Sequence, residues 1–378
     1  MYSESQIRNL QSLKDKLQGE LYTDTATLIM YSTDASAYRE VPLAVARAKN
    51  SDDLKTLIHF ARTENIPLIP RTAGTSLAGQ VVGTGIVVDV SRYMTAILEI
   101  NTEKHWVRLE PGVILDELNL RVSPSGLFFG PETSTSNRCM IGGMVGNNSC
   151  GSHSLVYGST RDHVLGIKAL LSDGNEVAFG PLTRQEFNEK CLLETLEGDI
   201  YRQMKTALEN PPMQDEIRQQ FPDPELERRN NGYAVDYLLE TESFTQNNTP
   251  FNFCKLISGS EGTLCFITEI KLNLVPLPPK ENMLIAIHLA TLNEAFKANL
   301  VALKHHPVAV ELMDHVIIEQ TSNNISQRKN RFFIEGDPEA LLLIEFTGES
   351  RAELDKIAVK VEESMRAEGY GYYFPRIY

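Results

Sequence analysis

The sequence predicts an α+β protein, on three observations. Strand-type apolar runs and amphipathic helical stretches alternate along the chain. Glycine-bearing loops join strand to strand, where a dinucleotide-binding unit would join strand to helix. A proline-rich stretch, Pro276–Pro279, separates a long first part from a shorter second one. With 378 residues, 42% of them hydrophobic, the chain can bury two or three domain cores, and the expected division is 1–280 and 281–378.

The first stretch carries Ile7, Leu10, Leu13 and Leu17 at helical spacing and has no apolar signal-peptide core. Val41–Asn50 reads as a strand, and Ser51–Asn65 as a helix capped by Ser51 with Leu54, Leu57, Ile58 and Ala61 facing inward. Strands at Ile66–Ile69 and Ile86–Val90 flank the loop Arg71–Gln80. A hairpin connection takes about two to five residues. This loop is longer, lacks Asn-Gly turn chemistry and carries Arg71, Thr75 and Ser76. Gly74 and Gly79 permit positive φ or close backbone approach, so consecutive N–H groups and the hydroxyls can line a nest for an anion such as phosphate. The plainer reading is a flexible connection. The spacing does not follow G-x-G-x-x-G, which argues against a nicotinamide fingerprint.

His105–Gly112 reads as a strand, and Val113–Gly126 as a helix ending near Pro124–Gly126. The segment Gly130–Val164 is too rich in Gly, Ser and Asn to be core, yet its apolar insertions Met140–Ile141 and Met144–Val145 argue for order. A hairpin over Ile167–Phe179 turns at Asp173–Gly174. Leu182–Asn248 reads as a charged, mostly helical surface excursion broken by prolines, and Phe253–Pro279 returns to strand–Gly–strand grammar. The second part alternates strands at Met283–Leu289, Pro307–Met313, Leu341–Phe346 and Tyr370–Phe374 with helices at Leu292–His305, His315–Thr321 and Ser350–Glu368.

A formal charge of -14 and a pI near 5.1 argue against nucleic acid or an anionic membrane as the main partner. The five cysteines are scattered without Cys-x-x-Cys spacing, so neither a disulfide framework nor a metal site is written in them. No apolar run reaches membrane-spanning length. The expected setting is the cytoplasm, peripheral to a membrane only where an electron acceptor lies there.

Three segments stand together: "PRTAGTSLAGQ" (70–80), "GPETSTSNRCMIGGMVGNNSCGSHSLVYGSTRDHV" (130–164) and "SGSEGTLCFITE" (258–269). Their order and content resemble the vanillyl-alcohol oxidase / p-cresol methylhydroxylase (PCMH) superfamily, and within it the D-2-hydroxyacid dehydrogenases of the D-lactate, glycolate and D-2-hydroxyglutarate type. The resemblance runs from Tyr31 to Pro276 and continues more weakly through Ala309–Asp314. It implies a PCMH-type FAD-binding domain of two α+β subdomains over 1–280. The first part of a ferredoxin-like α+β substrate (cap) domain would follow over 281–378.

By the same resemblance, Arg71, Ala73, Gly74, Thr75, Ser76, Leu77, Gly79 and Gln80 wrap the FAD pyrophosphate. Pro131, Glu132, Ser134, Ile141, Gly142, Gly143, Asn148, Gly151, Ser152, Tyr157 and Gly158 run along the diphosphate, ribityl and ring, and Glu261, Gly262 and Ile267 close over the cofactor. The chain departs from the family at Thr72 (more often Gly), Met140 (Thr), Val156 (Lys or Arg) and Cys265 (Gly). FAD is expected to be non-covalent, since Pro70–Gln80 contains no His; His153 is expected to hydrogen-bond and Cys150 to be a small buried thiol. Asn231, Gly232 and Tyr233 match an element that returns toward the active site, with a plain turn as the alternative; Val310–His315 is read as a structural strand.

The implied chemistry is oxidation of a small D-2-hydroxy acid to the 2-keto acid, with hydride passing to flavin N5 and an unidentified acceptor reoxidising the flavin. No metal site is expected, and no catalytic residue is assigned. The family's base and His-rich motif lie further on, and no His-x-His-x-Gly-Asp-Gly-Asn or Glu-His-Gly segment occurs here. The chain then reads as a fragment with an incomplete active site, with an iron–sulfur domain or subunit beyond it, or as a flavin-binding member without ordinary turnover. Alternatives are a same-fold oxidase or reductase acting on a sugar lactone, aryl alcohol or enolpyruvyl nucleotide, and a non-catalytic flavin-binding module.

Overall fold

The computed structural model describes residues 3–226, 228–229 and 232–378. They fall into two units: Met1–Cys150 with Ser159–Pro276, and Gly151–Gly158 with Leu277–Tyr378.

In the first unit, Ala44–Arg47 and Leu68–Arg71 each pair in parallel with Ile86–Asp89 between them, and Glu20–Tyr22 adds an antiparallel edge. Adjacent parallel strands cannot be joined by a hairpin, because the chain must return to the starting end of the sheet. Residues 72–85 make that return, which is the physical reason the loop is long. The helix Ser51–Glu64 packs Leu54, Leu57, Ile58 and Ala61 into the core beneath the sheet. Its cap is Asn50, one residue earlier than expected: the Asn50 side chain accepts from the amides of Asp52 and Asp53.

The second sheet is antiparallel, in the order Ile97–Asn101, Trp106–Leu109, Phe266–Asn273, Val164–Leu170, Glu176–Phe179. The hairpin closes where expected, with Gly174 at φ 84°. The segment read as a surface excursion is a correction. Phe187 and Tyr201 within it join Phe251 and Phe253 in the main core, with Phe187 and Phe251 ring centroids 4.6 Å apart. Its apolar residues are spread one or two per turn among charges, so local composition hides them. Pro211 and Pro212 do not break a helix but begin one, Pro211–Gln220, in the first turn where no amide partner is lost.

The second unit is a four-stranded antiparallel sheet ordered Ala309–Asp314, Ala340–Gly348, Glu281–Leu289, Arg376–Ile377, the ferredoxin-like βαββαβ arrangement. Leu292–Leu303 and Arg351–Ala367 bury Ala298, Val301, Leu354 and Val361 in one core with Ile285, Ile287, Leu342 and Ile344 of the sheet. The last strand is later and shorter than the expected Tyr370–Phe374, where only Tyr373 bridges to His288. Residues 151–158 belong to this unit. Their short helix Ser154–Tyr157 packs by the strand Ala309–Asp314, and His153 Nε2 lies 3.2 Å from Glu345 Oε2.

Candidate cofactor site

Arg47, Asp89 and Arg71 share one register at the carboxyl ends of the three parallel strands, the edge of an α/β sheet where ligands gather. Asp89 is buried there, accepting from the Tyr31 hydroxyl at 2.5 Å and the Ser91 amide at 2.7 Å. The guanidinium carbons of Arg71 and Arg47 lie 5.1 and 5.9 Å from the Tyr31 ring centroid. Burial pushes the Arg71 pKa down, opposed by Tyr31, Asp89 and Asp34.

The crossover loop rises from this base. Gly74 at φ 68° sits so close to Arg71 that a Cβ would lie 2.7 Å from Nη2. Gly79, at φ 77°, is the second left-handed position. Among the described residues, no backbone amide from Ala73 to Gln80 donates to a protein acceptor. Such donors require a partner from water or ligand, and a run of them in glycine-shaped backbone is what a phosphate nest offers. Leu77 is 79% exposed, so its place in the loop does not come from core packing.

The second and third segments close on this loop. In the helix Ile141–Asn147, Gly143 leaves room for Thr72, whose Oγ1 would be 2.6 Å from a Cβ. Gly142 is held from behind, its amide donating to Pro111 O at 2.8 Å. The amides of Gly259 and Glu261 donate to Val145 O (2.9 Å) and Gly146 O (2.8 Å), and Asn147 Nδ2 donates to Glu261 Oε1 at 3.2 Å. Gly262 faces Pro70, whose Cγ would be 3.2 Å from a Cβ. Ser76 and Gln80 hydrogen-bond each other, and the Gln80 side chain acts on the Glu261 carboxyl. Burial holds the Glu261 carboxyl above its usual range, with the bonds from Asn147 and Gln80 acting the other way.

The structure thus brings together Arg71 to Gln80, Ile141, Gly142, Gly143, Glu261 and Gly262. Pro131 is buried and Ser134 exposed on the stretch before the helix, with Glu132 between them in burial. Ile141 is buried in the main core, and Ile267 is a strand residue paired with Ala169. Asn148 caps the helix at φ 54°, and its Oδ1 accepts from the Arg161 amide at 2.8 Å. Gly151, Ser152, Tyr157 and Gly158 group with the second unit. Asn231 lies outside the described residues; Gly232 adopts φ 79°, and the Tyr233 hydroxyl is 2.6 Å from Thr263 Oγ1. Burial pushes the Cys265 thiol up to about 12, so it is an inert thiol. No described cysteine is in a disulfide, and no group of three metal-ligating side chains occurs among the described residues. Sequence reasoning missed Asn147, Pro111, Tyr31, Asp89 and Arg161. All but Tyr31, Asp89 and Pro111 lie in quoted motifs, but nothing in their spacing marks them. A separate cleft of about 1080 Å³, between Ile58–Leu68 and Leu170–Asp173, meets the site only around Gly262–Leu264.

Residues 42–180 match the FAD binding domain family. This stretch is an FAD-binding domain. It is 32% identical over 354 residues to a D-2-hydroxyglutarate dehydrogenase of Pseudomonas putida, covering 92% of this chain and 34% of the relative. The Escherichia coli K12 protein of that name is 34% identical over 356 residues (92% and 34%), and E. coli K12 glycolate oxidase subunit GlcD is 26% identical over 352 residues (90% and 55%). The chain spans about a third of the length of the dehydrogenases it matches. Its fold is that of the PCMH and vanillyl-alcohol oxidase flavoproteins. 4-Ethylphenol oxidase from Gulosibacter chungangensis superimposes with TM-score 0.62 at 17% identity over 99% of this chain and 66% of that one. Alkyldihydroxyacetonephosphate synthase gives 0.62 at 15% identity (99% and 65%). No described helix is long and apolar enough to cross a membrane.

Proposed function

We propose that the chain holds FAD without a covalent link and serves as the flavin-bearing part of an oxidoreductase that converts a small D-2-hydroxy acid to the 2-keto acid. One observation carries the cofactor half of this reading: the amides of Ala73–Gln80, without a protein acceptor among the described residues, lie on a loop whose start at Pro70 and Thr72 meets Gly262 and Gly143 of the other two glycine segments. Arg71, Ala73, Gly74, Thr75, Ser76, Leu77, Gly79 and Gln80 would hold the diphosphate. Ile141, Gly142, Gly143, Glu261 and Gly262 would form the opposite wall, and Pro131, Glu132, Ser134, Asn148, Gly151, Ser152, Tyr157, Gly158 and Ile267 would continue the path. Bound FAD supplies the hydride acceptor. The loop holds no His or Cys to attach it, so acid precipitation is expected to release yellow cofactor into the supernatant. Flavin retained in the pellet would overturn the non-covalent reading.

The substrate class rests on the names of the relatives. No hydroxyl-proton acceptor is assigned among the described residues. His288 is buried, and the Glu335 amide donates to its Nε2 (3.1 Å), which leaves Nδ1–H to donate to Ala286 O at 3.0 Å. His305 Nε2 bonds the Ser364 hydroxyl at 3.0 Å, and burial lowers the pKa of both imidazoles. These histidines are committed to structure. A missing general base costs roughly 10²–10⁴-fold, so residues 1–378 are expected to bind FAD yet reduce it poorly with D-2-hydroxy acids. Anaerobic mixing with D-lactate, glycolate and D-2-hydroxyglutarate, followed by flavin absorbance, tests this. Rapid D-selective bleaching would place a complete active site in this chain. An electron acceptor, and an iron–sulfur domain or subunit to pass electrons on, complete the proposal.

A further inference from the structure

Arg161 is 2% exposed, and no carboxylate lies at ion-pair distance from it among the described residues. Its guanidinium is spent on backbone carbonyls: Nε and Nη2 donate to Ser258 O at 3.1 and 2.6 Å, and Nη1 to Arg229 O at 3.3 Å. Its face lies over the Tyr237 ring, 5.4 Å from the centroid. Burying an uncompensated cation is costly, so a side chain kept there must return something in geometry. The planar fork does so, since it can hold two carbonyls at fixed angles where a lysine ammonium cannot. The backbone of the same residue is fixed as well: its amide donates to Asn148 Oδ1 and its carbonyl accepts from Lys255 Nζ at 2.9 Å. Arg161 therefore ties the end of the helix Ile141–Asn147 to the start of the turn Ser258–Gly262. Gly259, at φ 96°, leaves room for it, since a Cβ there would lie 2.7 Å from Nη2.

We propose that Arg161 is a positioning residue of the cofactor site, holding the turn Ser258–Gly262 against the glycine helix so that this wall closes on FAD. The inference rests on the FAD reading above. The test uses the full chain as wild type, Arg161→Lys, Arg161→Met and Gly259→Ala, with FAD affinity from fluorescence titration, visible circular dichroism of the bound flavin, and unfolding of the flavin-free protein. Arg161→Met is expected to weaken FAD binding roughly tenfold or more. Arg161→Lys is expected to fold, to weaken binding less, and to change the visible dichroism. Gly259→Ala should weaken binding by pushing on the same guanidinium, and its effect should not add to that of Arg161→Lys. Should Arg161→Met fail to fold, the Lys and Ala variants decide. Variants that bind within about twofold of a flavin-binding wild type, with unchanged dichroism, overturn the Arg161 assignment alone. A wild-type chain that takes up no FAD overturns the cofactor reading and this inference with it.

Discussion

In the loop Arg71–Gln80 glycine opens the backbone, whereas in the helix Ile141–Asn147 and the turn Ser258–Gly262 it lets two backbones meet. The amides of Ala73–Gln80 donate to no acceptor among the described residues, while those of Gly142, Gly259 and Glu261 are all spent on neighbouring carbonyls. One wall is therefore rich in unsatisfied donors, whereas the other spends most of its donors internally. A glycine-rich motif alone does not tell which of these roles its glycines play. The difference lies in what surrounds each missing Cβ: Arg71 under Gly74, but Thr72 of the opposite wall against Gly143.

The largest expected effect comes from spoiling the open wall. Gly74→Val puts a β-branched residue at φ 68° and its Cβ against Arg71, so FAD retention should fall by roughly a hundredfold or more in a folded protein. The flavin-to-protein absorbance ratio of the purified variant reads this directly, and full loading would show that the loop is not the anchor. Gly143→Ala instead tests the contact between walls. Its Cβ meets Thr72 Oγ1 at 2.6 Å and should cost about 1–3 kcal/mol in urea unfolding, a cost that Thr72→Gly in the same chain should relieve. Strict additivity would mean the two residues do not compete for space.

Asp89→Asn weakens the base of the loop, where the carboxylate now accepts from Tyr31 and Ser91, and should cost about 1–2 kcal/mol in thermal unfolding. The smallest effect is expected at Glu261. Its folded-state pKa is raised from 4.5 by burial, so its contribution to stability is present in full below that value and lost as pH rises through the folded one. Measured against Glu261→Gln between pH 4 and pH 8, wild type should be relatively most stable at the acid end. A pH-independent difference would show that this carboxyl is not desolvated where it sits.

Local signals in the sequence reach the open wall and stop short of the other one. The excess length and hydroxyl content of Arg71–Gln80 were readable because they violate hairpin grammar, and the order of the second unit followed from strand and helix periods. The crossover itself was not readable, since no local pattern tells whether Leu68–Arg71 and Ile86–Asp89 run parallel, and Ile86–Asp89 also pairs with the sequence-distant Ala44–Arg47. The aromatic core around Phe187, Tyr201 and Phe251 was missed because those residues are far apart in sequence and locally outnumbered by charge. Arg161 escaped for a related reason. Arginine is a surface residue by default, and only its distant carbonyl partners at Ser258 and Arg229 reveal the exception.

The grouping of residues 151–158 with the second unit has a consequence for how the protein comes into being. The pair His153–Glu345 joins positions 192 residues apart (345 − 153), and the short helix Ser154–Tyr157 finds the strand Ala309–Asp314 over a comparable gap. On a ribosome, residues 159–276 emerge before any of 277–378 exists, so this strap must wait for its partners in 277–378 while the intervening chain is made. Contacts of such sequence separation form slowly, because a long loop must close before they are rewarded. The second unit is therefore expected to mature last. A single proteolytic cut within Pro276–Pro279 should also leave it a non-covalent complex with the strap, not an independent fragment, which size-exclusion chromatography of the nicked chain can read.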